Sequence, residues 1–358
     1  MKIITIIGAR PQFIKAATIS QAIRRMAASG VNIQEFILHT GQHYDYAMSE
    51  LFFRQLDVPT PRWHLDCKND FLRMKELITP ILQSEQPDVV IVYGDTTSTL
   101  AGAEAASSLH IPLAHIEAGL RSFNNAMPEE KNRILTDLLA NWLFCPTRTA
   151  VSNLNNEGIT NGVFHTGDVM YDAALLFTPN QDQQLRILSQ YHLAPKQFAI
   201  ATMHRAATAE NIEALSAIVE ALAQLSLPVL LPLHPHTART FAAQPSLQER
   251  LNQARNIHVT EPVGYIEMLA LEQQAKLILT DSGGMQKEAY FLSTPCITLR
   301  DETEWTETVE AGWNKLAGTQ TERIVIAART PFEARSISDF GDGHAADKMI
   351  ELLCQDIF

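Results

Sequence analysis

Ser282, Gly283 and Gly284 stand between an apolar run, Ala275-Lys-Leu-Ile-Leu279, and a stretch from Met285 to Phe291 that reads as the opening of a helix. The run reads as a buried parallel strand, so the Ser-Gly-Gly falls in a strand-to-helix turn. Glycines there let backbone N–H groups approach an anion, and the following helix turns its positive end to the same place. Glu288 falls about one turn further on. A carboxylate beside an anion site suits sugar hydroxyls, which donate hydrogen bonds, rather than phosphate. Together these groups fit a phosphate and a polyol: a nucleotide or a nucleotide-sugar. The same stretch also reads as a Gly-rich turn with a helix N-cap and no ligand.

Other candidates lie in the first half of the chain. Asp95 follows the apolar run Pro87–Tyr93, and Glu117 follows Ile111–Ile116. Both acids therefore stand at strand carboxyl ends, where open α/β sheets place ligands. A turn or N-cap role also accounts for Asp95, but less readily for Glu117, since Glu is a poor turn residue. Met127-Pro-Glu-Glu-Lys-Asn-Arg133 marks a helix start, with Pro at the opening and two acids in the first turn. Complementing the helix dipole also accounts for Glu129 and Glu130. Arg10, in Gly8-Ala-Arg-Pro11, and Lys15 put cations at and after the first strand end; a surface role for Lys15 stays open.

The elements that must position these residues alternate strand and helix. In the first half, strands are read at Ile3–Ile7, Glu35–His39, Pro87–Tyr93, Ile111–Ile116, Trp142–Cys145 and Gly162–Thr166. Helices are read from about Gln12 to Met26, after Thr40-Gly-Gln-His-Tyr-Asp45 through Gln55, and from Leu100 to Leu109. A polar break after Gly167–Ala173 marks a junction near residue 170. The rhythm then restarts with strands at Phe198–Thr202, Pro228–Pro232, Ile257–Thr260, the run before Ser282, Cys296–Leu299 and Asn314–Gly318. A last helix starts near Gly343. The chain thus reads as two successive α/β domains with polar clusters at their strand ends, and a ligand cleft between them is expected.

The 358 residues carry a net charge of −12, which argues against nucleic acid or an anionic membrane as the main partner. A hydrophobic content of 46% with 19% charged residues is ordinary for an α/β protein. Cys67, Cys145, Cys296 and Cys354 are scattered without zinc or redox spacing and read as reduced thiols. Met1–Ile7 is too short for a signal h-region and runs into Gly-Ala-Arg-Pro, so it reads as a first strand. No run approaches transmembrane length. A cytoplasmic protein is expected.

In order and spacing, the motifs resemble those of the non-hydrolysing UDP-N-acetylglucosamine 2-epimerases over nearly the whole chain. They are Gly8-Ala-Arg-Pro with Lys15, Thr40-Gly-Gln-His43, Gly94-Asp-Thr-Thr97, His115-Ile-Glu-Ala-Gly-Leu-Arg121, Pro128-Glu-Glu with Asn132-Arg133, His204-Arg205, Thr280 to Glu288, and Leu299-Arg300 through Glu307. The resemblance implies a glycosyltransferase-B-like fold of two Rossmann-like domains. One would span 1–170, completed by the C-terminal helix at about 345–358; the other, binding UDP, would span 171–344. It implies a homodimer and a reaction needing neither redox cofactor nor metal. UDP leaves C1 as the C2 proton is removed, giving a 2-acetamidoglucal; reprotonation on the other face and return of UDP give the epimer. Asp95, Glu117 and Glu129 are the implied acid/base groups, with Lys15 and Arg133 at the reacting end. Arg10 and His204 would hold the diphosphate, with Ser282, Gly283 and Gly284 donating to it. Glu288 would bind ribose and Met268 would face uracil. Gln42, His43, Asp301 and Trp305 complete the implied substrate contacts.

Some positions depart from the commoner family pattern. Gln12-Phe13 follow Gly-Ala-Arg-Pro where that pattern has Glu, and Thr303-Glu-Trp-Thr-Glu307 replaces Thr-Glu-Arg-Pro-Glu. Trp305 could stack on the nucleotide but cannot replace a charged contact. Tyr44-Asp45 depart from the family in a region that forms an allosteric site in bacterial members. The opening motif and the Asp-Glu-Thr-Glu-Trp stretch resemble the branch acting on UDP-2,3-diacetamido-2,3-dideoxy-glucuronic acid in surface-polysaccharide synthesis. That branch is the first expectation here, and UDP-N-acetylglucosamine the second. A hydrolysing epimerase, a UDP-sugar glycosyltransferase and a nucleotide-sugar sensor are the remaining readings.

Overall fold

A computed structural model gives the fold and describes residues 1–42, 53, 55–124 and 126–357. His43 and most of the helix read through Gln55 lie outside these residues. The chain forms two compact units: Met1–Leu176 with Ser338–Phe358, and Phe177–Ile337.

The first unit is built on a seven-stranded sheet: β1 (Lys2–Ile7), β2 (Gln34–His39), β3 (Trp63–His64), β4 (Val89–Tyr93), β5 (Leu113–Ile116), β6 (Trp142–Cys145) and β7 (Val163–His165), in the order β3-β2-β1-β4-β5-β6-β7. Neighbouring strands pair in parallel, with Ile3, Ile4 and Thr5 of β1 opposite Val89, Val90 and Ile91 of β4. Val89–Tyr93 is apolar throughout and fully buried, because helices cover both faces of a parallel sheet. The order reverses direction between β1 and β4, which opens a crevice at their carboxyl ends.

The second unit repeats the plan with β8 (Ala199–Thr202), β9 (Val229–Pro232), β10 (Ile257–Thr260), β11 (Leu277–Thr280), β12 (Cys296–Thr298) and β13 (Asn314–Leu316), in the order β10-β9-β8-β11-β12-β13. Alternate residues feed two separate cores. Ala199, Ala201, Val229, Leu231, Leu277 and Leu279 enter one. Phe198, Ile200, Leu230 and Ile278 enter the other. This two-residue period is what a strand buried on both faces must show. Its direction reverses between β8 and β11.

Between Gln55 and Pro87, where no element is read from the sequence, the chain forms β3 and the helix Phe71–Glu85. Pro80 lies inside that helix and disguises it. Its buried residues, Met74, Ile78 and Leu82, recur every four positions, and Asp70 caps it by accepting the Arg73 N–H at 3.1 Å. Among the described residues, no helix is long and apolar enough to cross a membrane.

The C-terminal helix Ala345–Ile357 belongs to the first unit. Arg25 pairs with Asp347 at 2.6 Å, and the Trp142 indole N–H donates to Asp356 at 2.7 Å. Asp172 accepts the Ala345 and Ala346 N–H groups at 3.1 and 2.8 Å. Burial nonetheless pushes its carboxyl up to about 6, against those two bonds and with help from the charges of Asp168 and Asp347. The folded chain therefore holds this proton more tightly than the unfolded chain, and ionising Asp172 costs stability as pH rises from the ordinary carboxylate range to about 6. In urea unfolding, the stability of the protein minus that of Asp172→Asn is expected to fall by roughly 2 kcal/mol between about pH 4.5 and 7. A difference independent of pH would show that Asp172 ionises freely in the folded state.

Candidate functional site

In the first unit, the chain leaving β1 turns at Gly8-Ala9 into the helix Arg10–Ala28, and one side chain fixes that turn. Gln12 is 1% exposed, and its Oε1 accepts the N–H groups of Gly8 and Ala9 at 2.7 and 3.0 Å. Its Nε2 donates to the Tyr93 carbonyl at 2.9 Å and to the Thr96 and Thr99 hydroxyls at 3.0 Å. The ends of β1 and β4 are thus bolted together across the switch point. Arg10, half-buried, opens the helix, and Lys15 lies a turn further along it.

Lys15 pairs directly with Glu117, and both side chains are 9% exposed. Glu117 itself sits at φ +73, a left-handed backbone that a Glu adopts at a cost of roughly 1–3 kcal/mol. The strain aims its carboxylate at Gly94. A Cβ on Gly94 would lie 3.1 Å from Glu117 Oε2 and 3.3 Å from Lys15 Nζ, and Gly94 also holds φ +61. Asp95 is the next residue. Its carboxylate pairs with Arg133, and its carbonyl accepts from Asn132 Nδ2 at 2.9 Å. Each strand-end acid is therefore paired with a cation, and the two pairs are joined through the Gly94–Asp95 backbone.

The two first-turn acids of the helix Pro128–Leu139 divide their roles. Glu130 is 1% exposed; it pairs with Arg133 at 2.9 Å and accepts from the N–H groups of Ser122 and Phe123 and from the Ser122 hydroxyl. It is a structural anchor for Arg133 and the 121–123 loop. Glu129 points to solvent. Gln42 is engaged by Ser98, accepting its N–H at 3.0 Å and its hydroxyl at 2.6 Å, at the start of the helix Thr97–Ser108.

In the second unit, β8 ends at His204-Arg205 and β11 at Asp281-Ser282. Asp281 is fully buried and accepts the N–H groups of His204 and Arg205, with the His204 Nδ1 at 3.5 Å from its Oδ1. The His204 imidazole is 42% exposed. Ser282 is the N-cap of the helix Gly283–Phe291, accepting the Met285 N–H at 3.4 Å. The two glycines form the first turn of the helix itself. Gly283 is closely packed: a Cβ there would lie 2.5 Å from Glu304 Oε1 and 3.2 Å from Trp305 Nε1, so a larger residue would have to displace the Glu304 carboxylate. Gly284 faces open space, with only the Ser282 hydroxyl near, at 3.8 Å.

Glu304 pairs with Arg300 at 3.0 Å and Arg205 at 3.3 Å, so two cations are held beside this helix start. Glu288 is 7% exposed one turn in. Its charge and, above all, burial hold the Glu272 carboxyl far above the ordinary carboxylate range. Met268 is half-buried against the core beneath. Trp305 is placed differently from its reading as a stacking face. Its ring is 3% exposed, with the Lys287 ammonium 3.9 Å from its centroid, so the indole is a core platform for a buried lysine. Asp301 is exposed and pairs with Arg323 at 2.7 Å.

The structure thus joins Lys15, Glu117, Asp95 and Arg133 in one unit, and gathers His204, Ser282, Gly283 and Gly284 at one switch point in the other. Gln12 and Glu130, which hold these groups in place, carry no signal of that role in their spacing. Asp281 could be picked out, as an acid between a strand end and the Ser-Gly-Gly.

The family model for UDP-N-acetylglucosamine 2-epimerase matches residues 25–354. The UDP-2,3-diacetamido-2,3-dideoxy-D-glucuronate 2-epimerase of Pseudomonas aeruginosa is 47% identical over 370 residues, covering 99% of this chain and 100% of that protein. A UDP-N-acetylglucosamine 2-epimerase homolog of Methanococcus maripaludis is 46% identical over 361 residues, covering 99% of each. The crystal structure of Methanocaldococcus jannaschii UDP-GlcNAc 2-epimerase in complex with UDP-GlcNAc and UDP matches with a TM-score of 0.89 at 38% identity, covering 99% of this chain and 100% of that one.

The Lys15–Glu117 pair yields a stability prediction independent of any ligand. Lys15→Met leaves a nearly buried carboxylate without its cation and is expected to cost about 3 kcal/mol in urea unfolding. Adding Glu117→Gln should recover most of that loss. Additive losses in the double variant would mean that the two charges do not compensate each other.

Proposed function

The chain belongs to the UDP-N-acetylglucosamine 2-epimerase family, and from that premise we propose that Asp95 and Glu117 move the C2 protons of a UDP-2-acetamido sugar. The enzyme is a non-hydrolysing UDP-sugar 2-epimerase. The observation that carries the residue assignment is the pairing of each strand-end acid with a cation, Asp95 with Arg133 and Glu117 with Lys15.

Removal of the C2 proton and departure of UDP from C1 give a 2-acetamidoglucal. Protonation of C2 from the other face and return of UDP to C1 give the epimer, so protons, electrons and leaving group balance without a co-reactant. A group on each face of C2 meets that need. The departing diphosphate takes up negative charge. Arg10, His204 and the N–H groups at Ser282, Gly283 and Gly284 are assigned to it. Glu288 is assigned to the ribose hydroxyls and Met268 to the uracil face. Glu129 remains a candidate for a third proton-transfer group. A homodimer is part of the proposal, to be checked by light scattering.

For the substrate, UDP-N-acetylglucosamine is put first, ahead of the order expected from the sequence. The family description and the UDP-GlcNAc complex at TM-score 0.89 support it. UDP-2,3-diacetamido-2,3-dideoxy-glucuronate is kept as a second reading because the Pseudomonas aeruginosa relative that acts on it is 47% identical end to end. Proton NMR of the enzyme with each sugar nucleotide separately decides between them: the manno epimer should form in one tube and not the other. Free N-acetylmannosamine accumulating with UDP would identify a hydrolysing enzyme instead. No epimer without an added acceptor would move a glycosyltransferase ahead.

Two kinds of variant should separate chemistry from binding. Asp95→Asn and Glu117→Gln are expected to lose at least ~100-fold in kcat while binding UDP as before. Gly284→Ala should do the reverse by calorimetry, weakening UDP about tenfold, with a thermal midpoint no lower than the parent's because Ala suits a helix better than Gly. Equal loss of UDP binding in all three would make the acids structural.

A further inference from the structure

Behind the Gly94–Asp95 turn lies a buried charged network that the assigned chemistry does not use. His115, on β5, is 0% exposed. Its Nδ1 lies 2.7 Å from Asp137 Oδ1 and its Nε2 lies 2.8 Å from the Gly94 carbonyl oxygen. Asp137, also buried, accepts from Arg121 Nη1 at 2.8 Å and from the Gly119 N–H at 3.2 Å. Arg121 in turn holds Glu157 through two bonds, at 2.7 and 2.6 Å.

We propose that His115 is a doubly protonated positioning residue that pins the Gly94–Asp95 turn against Glu117. A carbonyl oxygen has no proton to give. Asp137, with Arg121 and an amide already donating to it, has none either. Both imidazole nitrogens therefore face acceptors at hydrogen-bond distance, and a neutral ring would set one lone pair against another.

The bond to Gly94 is where this network meets the site. The Gly94 N–H donates to the Ile116 carbonyl at 2.9 Å, its carbonyl accepts from His115, and its Cα lies against Glu117 and Lys15. Gly94 is thus fixed on three sides in its left-handed conformation, and the position of Asp95 follows from it. A neutral side chain could fill the space but could not donate to both acceptors with the geometry of the ring.

The kinetic consequence rests on the epimerase reading; the protonation state does not. Nitrogen-15 NMR of the histidine-labelled enzyme at pH 8, with His115 assigned by comparison with His115→Gln, should show both of its ring nitrogens protonated. An unprotonated nitrogen there overturns the proposal. In His115→Phe, kcat should fall about 100-fold, the loss expected when a reacting group shifts by about 1 Å, with the Kd for UDP unchanged. His115→Gln, whose amide carries two N–H donors, should recover part of it. A normal kcat per folded molecule in both variants, with only a lower thermal midpoint, would reduce His115 to a core residue. If the parent enzyme epimerised neither UDP-sugar, the functional reading would fail, and the nitrogen spectrum would still decide the protonation of His115.

Discussion

Glu117 must stay charged where water scarcely reaches it. An isolated buried carboxylate would take up a proton, since the cost of desolvating the charge is several kcal/mol. Here Lys15 lies against it, and the residue facing them both, Gly94, has no side chain to push them apart. The first unit can be understood from that constraint. Glu117 adopts a left-handed backbone to reach the pair, Gly94 adopts one to make room for it, and Gln12 locks the β1 end that carries the helix of Lys15 to the β4 end that carries Gly94. Asp95 inherits its position from Gly94 and its charge partner, Arg133, from the helix that Glu130 anchors.

The same sheet order gathers two kinds of polar cluster. In the first unit the strand reversal between β1 and β4 gathers acids with paired cations, which suits proton transfer. In the second, the reversal between β8 and β11 gathers a helix start, an exposed imidazole and arginines, which suits an anionic leaving group. Buried acids do the holding in both. Asp137 holds one backbone N–H and a histidine, Asp281 holds two backbone N–H groups beside a histidine, and neither acid is exposed.

The alternation of apolar runs and helices was legible because a parallel strand buried on both faces is a nearly unbroken apolar run, as Val89–Tyr93 shows. The strand-end acids and the Ser-Gly-Gly were legible for the related reason that polar residues closing such a run have no place in the core. The helix Phe71–Glu85 escaped because Pro80 reads as a break, and only its four-residue apolar spacing gives it away. Residues that act on other residues were hidden. Glu130 and Glu129 are neighbours of one type, and nothing local says that one is buried under Arg133 and the other exposed. Trp305 reads as a ligand platform because it stands where the family pattern has an Arg. The structure buries it against Lys287, eighteen residues before it in sequence.

The most direct test of proton transfer at C2 is the reaction run in deuterium oxide and followed at that carbon by proton NMR. The manno epimer is expected to carry deuterium at C2 from its first appearance, and no other sugar carbon should exchange. An epimer that keeps its C2 proton would contradict the role given to Asp95 and Glu117, because inversion would then have to occur without a proton leaving that carbon for the solvent.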